Sequence, residues 1–115
     1  MKKNTTRTNK YGIPEDDLKK IRERDKECVY CHKAMKEYPH TRGCPKDKAT
    51  IEHFNYLPPW NNPATVAICC GSCNSSRGDN KLMDWFKKAY CIDEGINEKT
   101  VAQPVKEFIS KRDIY

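Results

Sequence analysis

Two pairs of closely spaced cysteines constrain the fold of this chain more than any other feature. Each pair has the form CxxC, and 38 residues separate the first pair, Cys28 and Cys31, from the second, Cys70 and Cys73. Two residues between cysteines allow a tight turn to direct both thiolates at one ion, and two such turns complete a tetrahedral zinc shell. Paired disulfides and thiols that only pack are the alternatives. The spacing predicts a structural zinc site made of all four cysteines.

The composition indicates that the fold needs such a site. The chain has 115 residues, of which 37% are hydrophobic and 33% charged, enough for one domain with a small core. A structural zinc site contributes on the order of 10 kcal/mol to the folding of a small domain. The seven cysteines are an odd number, and no apolar segment follows the basic residues 1–4. Both features favour reduced thiols and a cytoplasmic protein.

Three cysteines stand outside the two pairs. Cys69 would leave three residues before Cys73, a poorer turn than the two that Cys70 leaves, so we expect Cys69 to pack as a small hydrophobe. We expect Cys91 to pack beside the helix that precedes it. Cys44 falls in a predicted loop and receives no role.

The pattern of apolar and helix-starting residues predicts a small α+β domain over residues 13–115, preceded by a flexible basic arm over residues 1–12. Pro14 and the three acids after it favour a helix start, because proline suits the first turn and acids face the positive end of the helix dipole. Proline and charge predict loops in the stretches 32–48 and 57–63. The predicted elements are a helix over 14–26, strands over 49–54 and 65–69, a helix over 80–90, and a last helix that begins at Asn97 or Gln103.

Positive charge is concentrated in the N-terminal half of the sequence. Residues 1–50 hold 14 Lys and Arg against 8 Asp and Glu, whereas residues 51–115 hold 8 of each, so the net charge of +6 lies entirely in the first half. Such asymmetry favours contact with a polyanion through phosphates. Improved solubility is the alternative explanation.

Two further groups of polar residues flank the second cysteine pair. Glu52 and His53 end the stretch TIEH between the pairs, and Asn74 and Arg77 belong to NSSRG, directly after the second. This order resembles the HNH endonuclease family, whose pattern is a CxxC, an acidic-His or His-His pair on a strand, and a second CxxC. In that pattern an Asn or His follows, with a basic residue and a Gly three and four positions later. The match covers about residues 25–85, roughly half of the chain.

The resemblance implies a fold and a chemistry. The fold is a small ββα-metal (HNH) domain with a four-cysteine zinc site, flanked by N- and C-terminal helices. In that domain His53 takes a proton from water, a role that suits imidazole because histidine exchanges protons near neutral pH. Glu52 and Asn74 supply oxygen ligands to a catalytic Mg²⁺ or Mn²⁺, and Arg77 contacts the scissile or an adjacent phosphate.

Each of these roles has a structural alternative. His53 can be a histidine that only supports the fold, Asn74 can cap a helix, and Arg77 can lie on the solvated surface. Adjacent side chains of an ideal strand also point to opposite faces. The family places Glu52 and His53 at a bent strand end, which the resemblance supplies and the residues alone do not.

One position departs from the family pattern. The family carries an Asn five residues before the second CxxC, where it braces the loop behind the catalytic histidine, and Thr65 stands there in this chain. Either the Thr65 hydroxyl or Asn62 is expected to do the bracing. His32 and His40 receive no catalytic role. Three aromatic residues, Tyr38, Tyr56 and Trp60, either stack on bases or cover the small core.

The sequence therefore predicts a metal-dependent endonuclease that acts on DNA, expected to be duplex, and leaves 5′-phosphate and 3′-hydroxyl ends. A non-catalytic zinc-ribbon module that binds nucleic acid is the first alternative, and a structural or protein-interaction zinc domain is the second. The combination of Glu52, His53 and Asn74 favours the enzyme, because a zinc ribbon needs only four cysteines and positive charge.

Overall fold

A computed structural model describes residues 11–37, 45–55 and 58–111 of the chain. In these ranges a two-stranded antiparallel sheet packs among helices, which confirms the predicted α+β class. The elements in chain order are α1 (Glu15–Arg24), β1 (Ala49–His53), β2 (Val66–Cys70), α2 (Gly71–Arg77), α3 (Leu82–Trp85), α4 (Ala89–Glu94) and α5 (Gln103–Lys111), with a 3₁₀ turn (Pro63–Thr65) before β2. Most of the predicted basic arm lies outside the described residues, as do Tyr38, His40, Cys44 and Tyr56. The helices within those ranges are too short or too polar to cross a membrane.

The two strands lie between two hydrophobic clusters. They pair antiparallel, with His53 opposite Val66. Side chains of a strand alternate between its faces. Accordingly, Val66 and Ile68 enter the first cluster, and Ala67 and Cys69 enter the second. Since a two-stranded sheet is only marginally stable alone, packing on both faces of β2 holds the sheet in place.

Helix α1 covers the first cluster. It begins after Pro14 with three acids in its first turn, as the sequence predicted, and ends close to the predicted position. Leu18 and Ile21 form its buried face and pack in the same cluster as Ile68. Asp25, directly after the helix, is 5% exposed, and its carboxylate accepts a hydrogen bond of 3.0 Å from the backbone N–H of Ile68. The end of α1 is thereby fixed to β2.

The helix predicted over residues 80–90 consists of two short helices, α3 and α4, separated at residues 86–88. Lys88, just before α4, has an extended backbone with φ −76° and ψ 157°. Ala89 continues the helical spacing of Leu82, Trp85 and Phe86, but Ala89 is exposed and Cys91 is fully buried instead. The break therefore brings Cys91, together with the half-buried Tyr90, towards the second cluster.

Helix α5 closes the second cluster. Of the two predicted start residues, it begins at Gln103, and a proline occupies its first turn, where the backbone N–H has no partner in the helix. Val105 and Phe108 are buried, and Ile109 is half-buried. The ring centroid of Phe108 lies 5.2 Å from that of Phe54, the residue that follows the end of β1. Helix α5 thus packs against the strand end that carries the predicted catalytic residues.

Candidate metal centre and histidine site

The fold brings the two cysteine pairs together. The Sγ atoms of Cys28, Cys31, Cys70 and Cys73 all lie within 4.8 Å of one another. A tetrahedral zinc site with Zn–S distances of about 2.3 Å separates its sulfur atoms by about 3.8 Å, and the Cys31 and Cys70 Sγ atoms are 3.8 Å apart. The four cysteines therefore form a cluster that fits one metal ion and is consistent with zinc. In the described part of the chain, no second cluster of three or more His, Cys, Asp or Glu side chains is arranged for a metal.

Local backbone structure directs the thiols at one another. Around the first pair, the N–H of His32 donates to the carbonyl of Cys28 at 2.9 Å, and His32 adopts a positive φ of 65° to make that tight turn. At the second pair, Cys70 ends β2 and caps α2, with its Sγ accepting a hydrogen bond from the N–H of Cys73. His32 lies exposed at this turn, its Nε2 bonded to the Thr100 carbonyl, away from the predicted site.

The thiols share protons within the cluster. The hydrogen bond between Cys28 and Cys70 lowers the pKa of Cys70 to about 2 and raises the pKa of Cys28 to about 12. Hydrogen bonds to the same two thiols, Cys28 first, raise the pKa of Cys73 as well. Cys70 is therefore the thiol of these three that loses its proton most readily, and a bound cation would displace the protons of the others.

Two of the three cysteines outside the pairs, Cys69 and Cys91, lie in the second hydrophobic cluster. Cys69 is fully buried and does not belong to the four-cysteine cluster, as predicted, and burial raises the pKa of its thiol. Cys91 is also fully buried, in the cluster that contains Trp85, and burial raises its pKa to about 12. Both are protonated thiols that pack as small hydrophobes.

His53 ends β1 and is held by the loop that follows it. Its Nε2 lies 2.8 Å from the carbonyl oxygen of Trp60. Because a carbonyl only accepts hydrogen bonds, Nε2 carries the proton, and the neutral ring has its lone pair on Nδ1. The rings of Tyr11 and Trp60 pack edge-on against the imidazole, with centroids 4.4 and 5.2 Å away, and leave His53 only 5% exposed. Trp60 itself is 37% exposed, so it covers the histidine while part of its ring faces solvent.

The loop behind His53 is braced by both residues that the sequence offered. The Thr65 hydroxyl donates to the carbonyl of Asn62 at 3.0 Å, and the Asn62 side-chain oxygen accepts from the N–H of Ala64 at 3.0 Å. The N–H of Phe54 donates in turn to the carbonyl of Thr65 at 2.8 Å. Thr65 and Asn62 therefore both brace the loop, and the backbone hydrogen bond at the Thr65 carbonyl connects it to Phe54, the residue next to His53.

Glu52 points to the opposite side of β1 from His53. It is 4% exposed, and its Oε2 accepts hydrogen bonds from the Tyr30 hydroxyl and, at 2.7 Å, from Arg77 Nη1. Burial is the main cause that raises the pKa of Tyr30, and the nearby Glu52 carboxylate adds to the effect. Tyr30 therefore stays a hydrogen-bond donor. The neighbouring residues 52 and 53 alternate across the strand, as in an ideal strand.

Arg77 differs from the sequence expectation of a phosphate contact. It is 0% exposed, and its guanidinium donates to the carbonyls of His53, Phe54 and Asn80 as well as to Glu52. A buried guanidinium bonded to four protein oxygens presents no face to a nucleic-acid backbone. The reason lies in the tertiary structure. Arg77, three residues after Asn74 on α2, faces the sheet, where its acidic partner Glu52 is buried.

Asn74 lies on α2 beside β1 and does not cap the helix, since Cys70 does. Its side-chain nitrogen donates to the Thr50 hydroxyl at 2.9 Å and to the Ile51 carbonyl at 3.2 Å. These bonds fix the amide with its oxygen as the remaining ligand atom. Half-buried Asn74 also lines a cavity of about 350 Å³, whose walls include Tyr11, Arg22 and Lys48.

Glu52 and Asn74 do not fit a catalytic divalent metal as they stand. Mg²⁺ takes octahedral oxygen coordination and keeps several waters, whereas Glu52 is almost fully buried and already bonded to Arg77 and Tyr30. The two residues flank the same strand, but the carboxylate is directed into the protein interior.

Two residues of the site carried no recognised signal in the sequence. Tyr30 stands inside the first CxxC, where an aromatic side chain shows its partner only when the fold is known. Tyr11 lies within the predicted basic arm of residues 1–12 and packs on a histidine 42 positions away. The tertiary structure, and not the local sequence, brings these two residues to the site.

Comparisons of the chain with known protein families, with curated proteins and with solved structures give no match in any of the three.

Proposed function

We propose that this protein is a zinc-stabilised HNH endonuclease that hydrolyses phosphodiester bonds in DNA, with duplex DNA as substrate and His53 as general base. The observation that carries the proposal is the 2.8 Å bond from His53 Nε2 to the Trp60 carbonyl. This bond fixes one tautomer of a histidine at the end of β1. The strand belongs to a strand–strand–helix unit whose helix begins at the cysteine cluster. A general base needs a ring held in one tautomer.

In this proposal His53 Nδ1 accepts the proton of the attacking water, and the proton on Nε2 stays with the Trp60 carbonyl. The ring is covered by Tyr11 and Trp60. Water and phosphate therefore reach Nδ1 when one of these rings moves aside as the nucleic acid binds. The four-cysteine cluster holds zinc as a structural ion, since four thiolates leave no open position for a substrate.

A catalytic Mg²⁺ or Mn²⁺ enters the proposal from the family resemblance. The side-chain oxygen of Asn74 is available as a ligand. The Glu52 carboxylate is bonded to Arg77, so the two residues do not hold one ion together in this arrangement. When bound, such an ion supplies charge neutralisation on the phosphate. Samples that contain zinc but no added Mg²⁺ or Mn²⁺ test this requirement directly, because a chelator would also remove the structural zinc.

The positive charge of the chain supports a polyanionic substrate. The whole net charge of +6 lies in residues 1–50, and within the described ranges Arg22 and Lys48 line the cavity next to Asn74. Arg22 is exposed and Lys48 is half-buried. Cations that solvent reaches bind nucleic acid through its phosphates, without reading its sequence.

A non-catalytic zinc module that binds nucleic acid is the second candidate, and one observation favours it. Two motif residues expected to do chemistry, Glu52 and Arg77, form a buried ion pair with side-chain exposures of 4% and 0%. In this alternative the motif serves the fold, and the basic half of the chain provides the whole function.

Cleavage of supercoiled plasmid at low salt tests the proposal. Wild type is compared with His53→Ala and with His40→Ala, a histidine to which the sequence assigns no role, each with zinc present and with Mg²⁺, Mn²⁺ or neither added. Zinc content and circular dichroism first establish that all three proteins are folded. With Mg²⁺ or Mn²⁺ we expect wild type and His40→Ala to nick or linearise the plasmid, and we expect His53→Ala and the samples without either ion to leave it intact. Folded, zinc-loaded wild type that binds the plasmid without cutting it under any condition would instead establish the non-catalytic module.

A further inference from the structure

We infer that Arg77 is a positioning residue for His53, with Glu52 as its buried counter-ion, an inference that rests on the proposed function of His53. The side chain touches no exposed surface and therefore cannot meet a substrate. Its contacts instead converge on the backbone that carries the histidine.

The guanidinium grips two consecutive carbonyls at the end of β1. Arg77 Nη1 donates to the carbonyl of His53 at 2.8 Å, and Nη2 donates to the carbonyl of Phe54 at 2.6 Å. The planar fork of arginine holds several acceptors at fixed angles, which the ammonium of lysine does not. Arg77 therefore fixes the peptide planes on both sides of Phe54.

Those peptide planes determine where the imidazole points. His53 is held at three places: its carbonyl by Arg77, its side chain by the Trp60 carbonyl, and the next N–H along the chain by the Thr65 carbonyl. A small shift of the strand end would lengthen the hydrogen bond from His53 Nε2 to the Trp60 carbonyl. That bond is the contact that selects the tautomer with the proton on Nε2, so the grip of Arg77 preserves the base at Nδ1.

Glu52 and Tyr30 connect this grip to the metal cluster. Glu52 Oε2 accepts 2.7 Å from Arg77 Nη1 and also accepts from the Tyr30 hydroxyl. Tyr30 lies between Cys28 and Cys31, so the first cysteine pair, the ion pair and the histidine strand end form one bonded series. Zinc in the cluster thereby supports the histidine indirectly.

Nitrogen-15 NMR of the imidazole in the full-length, zinc-loaded protein without DNA tests the inference. Wild type is compared with Arg77→Lys, with Glu52→Gln, and with Arg24→Lys as a matched control. Arg24 also bonds a carboxylate and a strand carbonyl, those of Asp25 and Val66, but not the end of β1. We expect a strong excess of the Nε2-protonated form in wild type and in Arg24→Lys. Arg77→Lys should reduce that excess several-fold and lower kcat on plasmid at least tenfold with little change in KM.

Several results would overturn the inference. Folded Arg77→Lys with the wild-type tautomer ratio and kcat would show that the arginine does not position His53, and an equal change in Arg24→Lys would show a general loosening. If Arg77→Lys does not fold, Glu52→Gln and Tyr30→Phe decide: a smaller tautomer shift in the same direction supports the inference, and no shift contradicts it. The tautomer measurement needs no cleavage, so a protein that cuts no DNA but shows the shift refutes the proposed function alone.

Discussion

Two arginine–carboxylate pairs in this protein have similar geometry and very different surroundings. Arg77 and Glu52 lie 2.7 Å apart with side-chain exposures of 0% and 4%, while Arg22 and Glu37 lie 2.9 Å apart with exposures of 43% and 66%. Exposed pairs contribute little because water screens them. Removal of one member of a buried pair leaves an unpaired charge in the interior, which is strongly destabilising.

The first prediction follows from that contrast. Arg77→Met should lower the free energy of unfolding by about 3–5 kcal/mol, because Glu52 and the backbone carbonyls lose their donor. Arg22→Met should lower it by about 1 kcal/mol or less. Urea denaturation of the zinc-loaded proteins measures both, and equal effects of the two substitutions would contradict the buried pair.

The second prediction concerns Tyr30 and alkaline pH. Burial raises the pKa of its hydroxyl above the ordinary value of about 10. The folded state then holds a proton that the unfolded state releases, so Tyr30 stabilises the fold below pH 10 and loses this contribution as pH rises further. The free energy of unfolding of wild type should fall more steeply between pH 10 and 11 than that of Tyr30→Phe, measured by urea denaturation at each pH. Parallel slopes would show that Tyr30 does not titrate differently in the two states.

At this scale the sequence predicted residue types better than residue roles. The cluster of four cysteines that fits a metal ion follows from spacing alone, because two residues between thiolates impose the turn. The role of Arg77 does not follow from spacing, since a phosphate contact and a buried ion pair require the same residue at the same position. Which one occurs depends on whether α2 turns that position towards the sheet, and only tertiary packing decides it.

At the scale of elements, short segments were predicted where local chemistry determines them. Helix α1 begins where proline and acids favour it, and the strands fall within one residue of the predicted ends. The broken helix over residues 80–90 was not predicted, because the apolar spacing is the same for one helix or two. Packing of Trp85, Phe86 and Cys91 around one cluster determines the break.

The third prediction tests helix α5 as a cover for the end of β1. Phe108→Ala should lower the free energy of unfolding by about 3–5 kcal/mol, because it removes a buried ring next to Phe54. Ile92→Ala on α4 is the control, since Ile92 is 67% exposed and its loss should cost about 0.5 kcal/mol or less. Chemical denaturation with zinc in excess measures both. An effect of Phe108→Ala as small as that of Ile92→Ala would show that α5 is not part of the cooperative core.

At the scale of the whole molecule, the metal cluster joins parts of the chain that are distant in sequence. The first cysteine pair follows α1, and the second joins β2 to α2. Their thiols lie together in the second hydrophobic cluster, against which α3, α4 and α5 also pack. A metal ion held by the four cysteines would therefore lie at the centre of the protein.

The fourth prediction is that zinc removal unfolds the domain as a whole. A strong chelator should abolish the cooperative urea transition and most of the helical circular dichroism, and added zinc should restore both, because folding and metal binding are linked. A Cys73→Ser variant should bind zinc more weakly, whereas Cys91→Ser, outside the cluster, should keep one zinc per chain by mass spectrometry under native conditions. Unchanged circular dichroism after complete chelation would show that the apolar clusters suffice.

Cys70 lies opposite Ala49 at the end of the sheet, and Cys69 lies beside it on the other face. A slip of one residue in strand pairing exchanges the two faces of a strand. In this chain such a slip presents Cys69 where Cys70 belongs, and three residues rather than two then separate the cysteine from Cys73. Metal binding would therefore select the strand register. Adjacent cysteines make two registers chemically similar, and the ion stabilises the register in which Cys70 is its ligand.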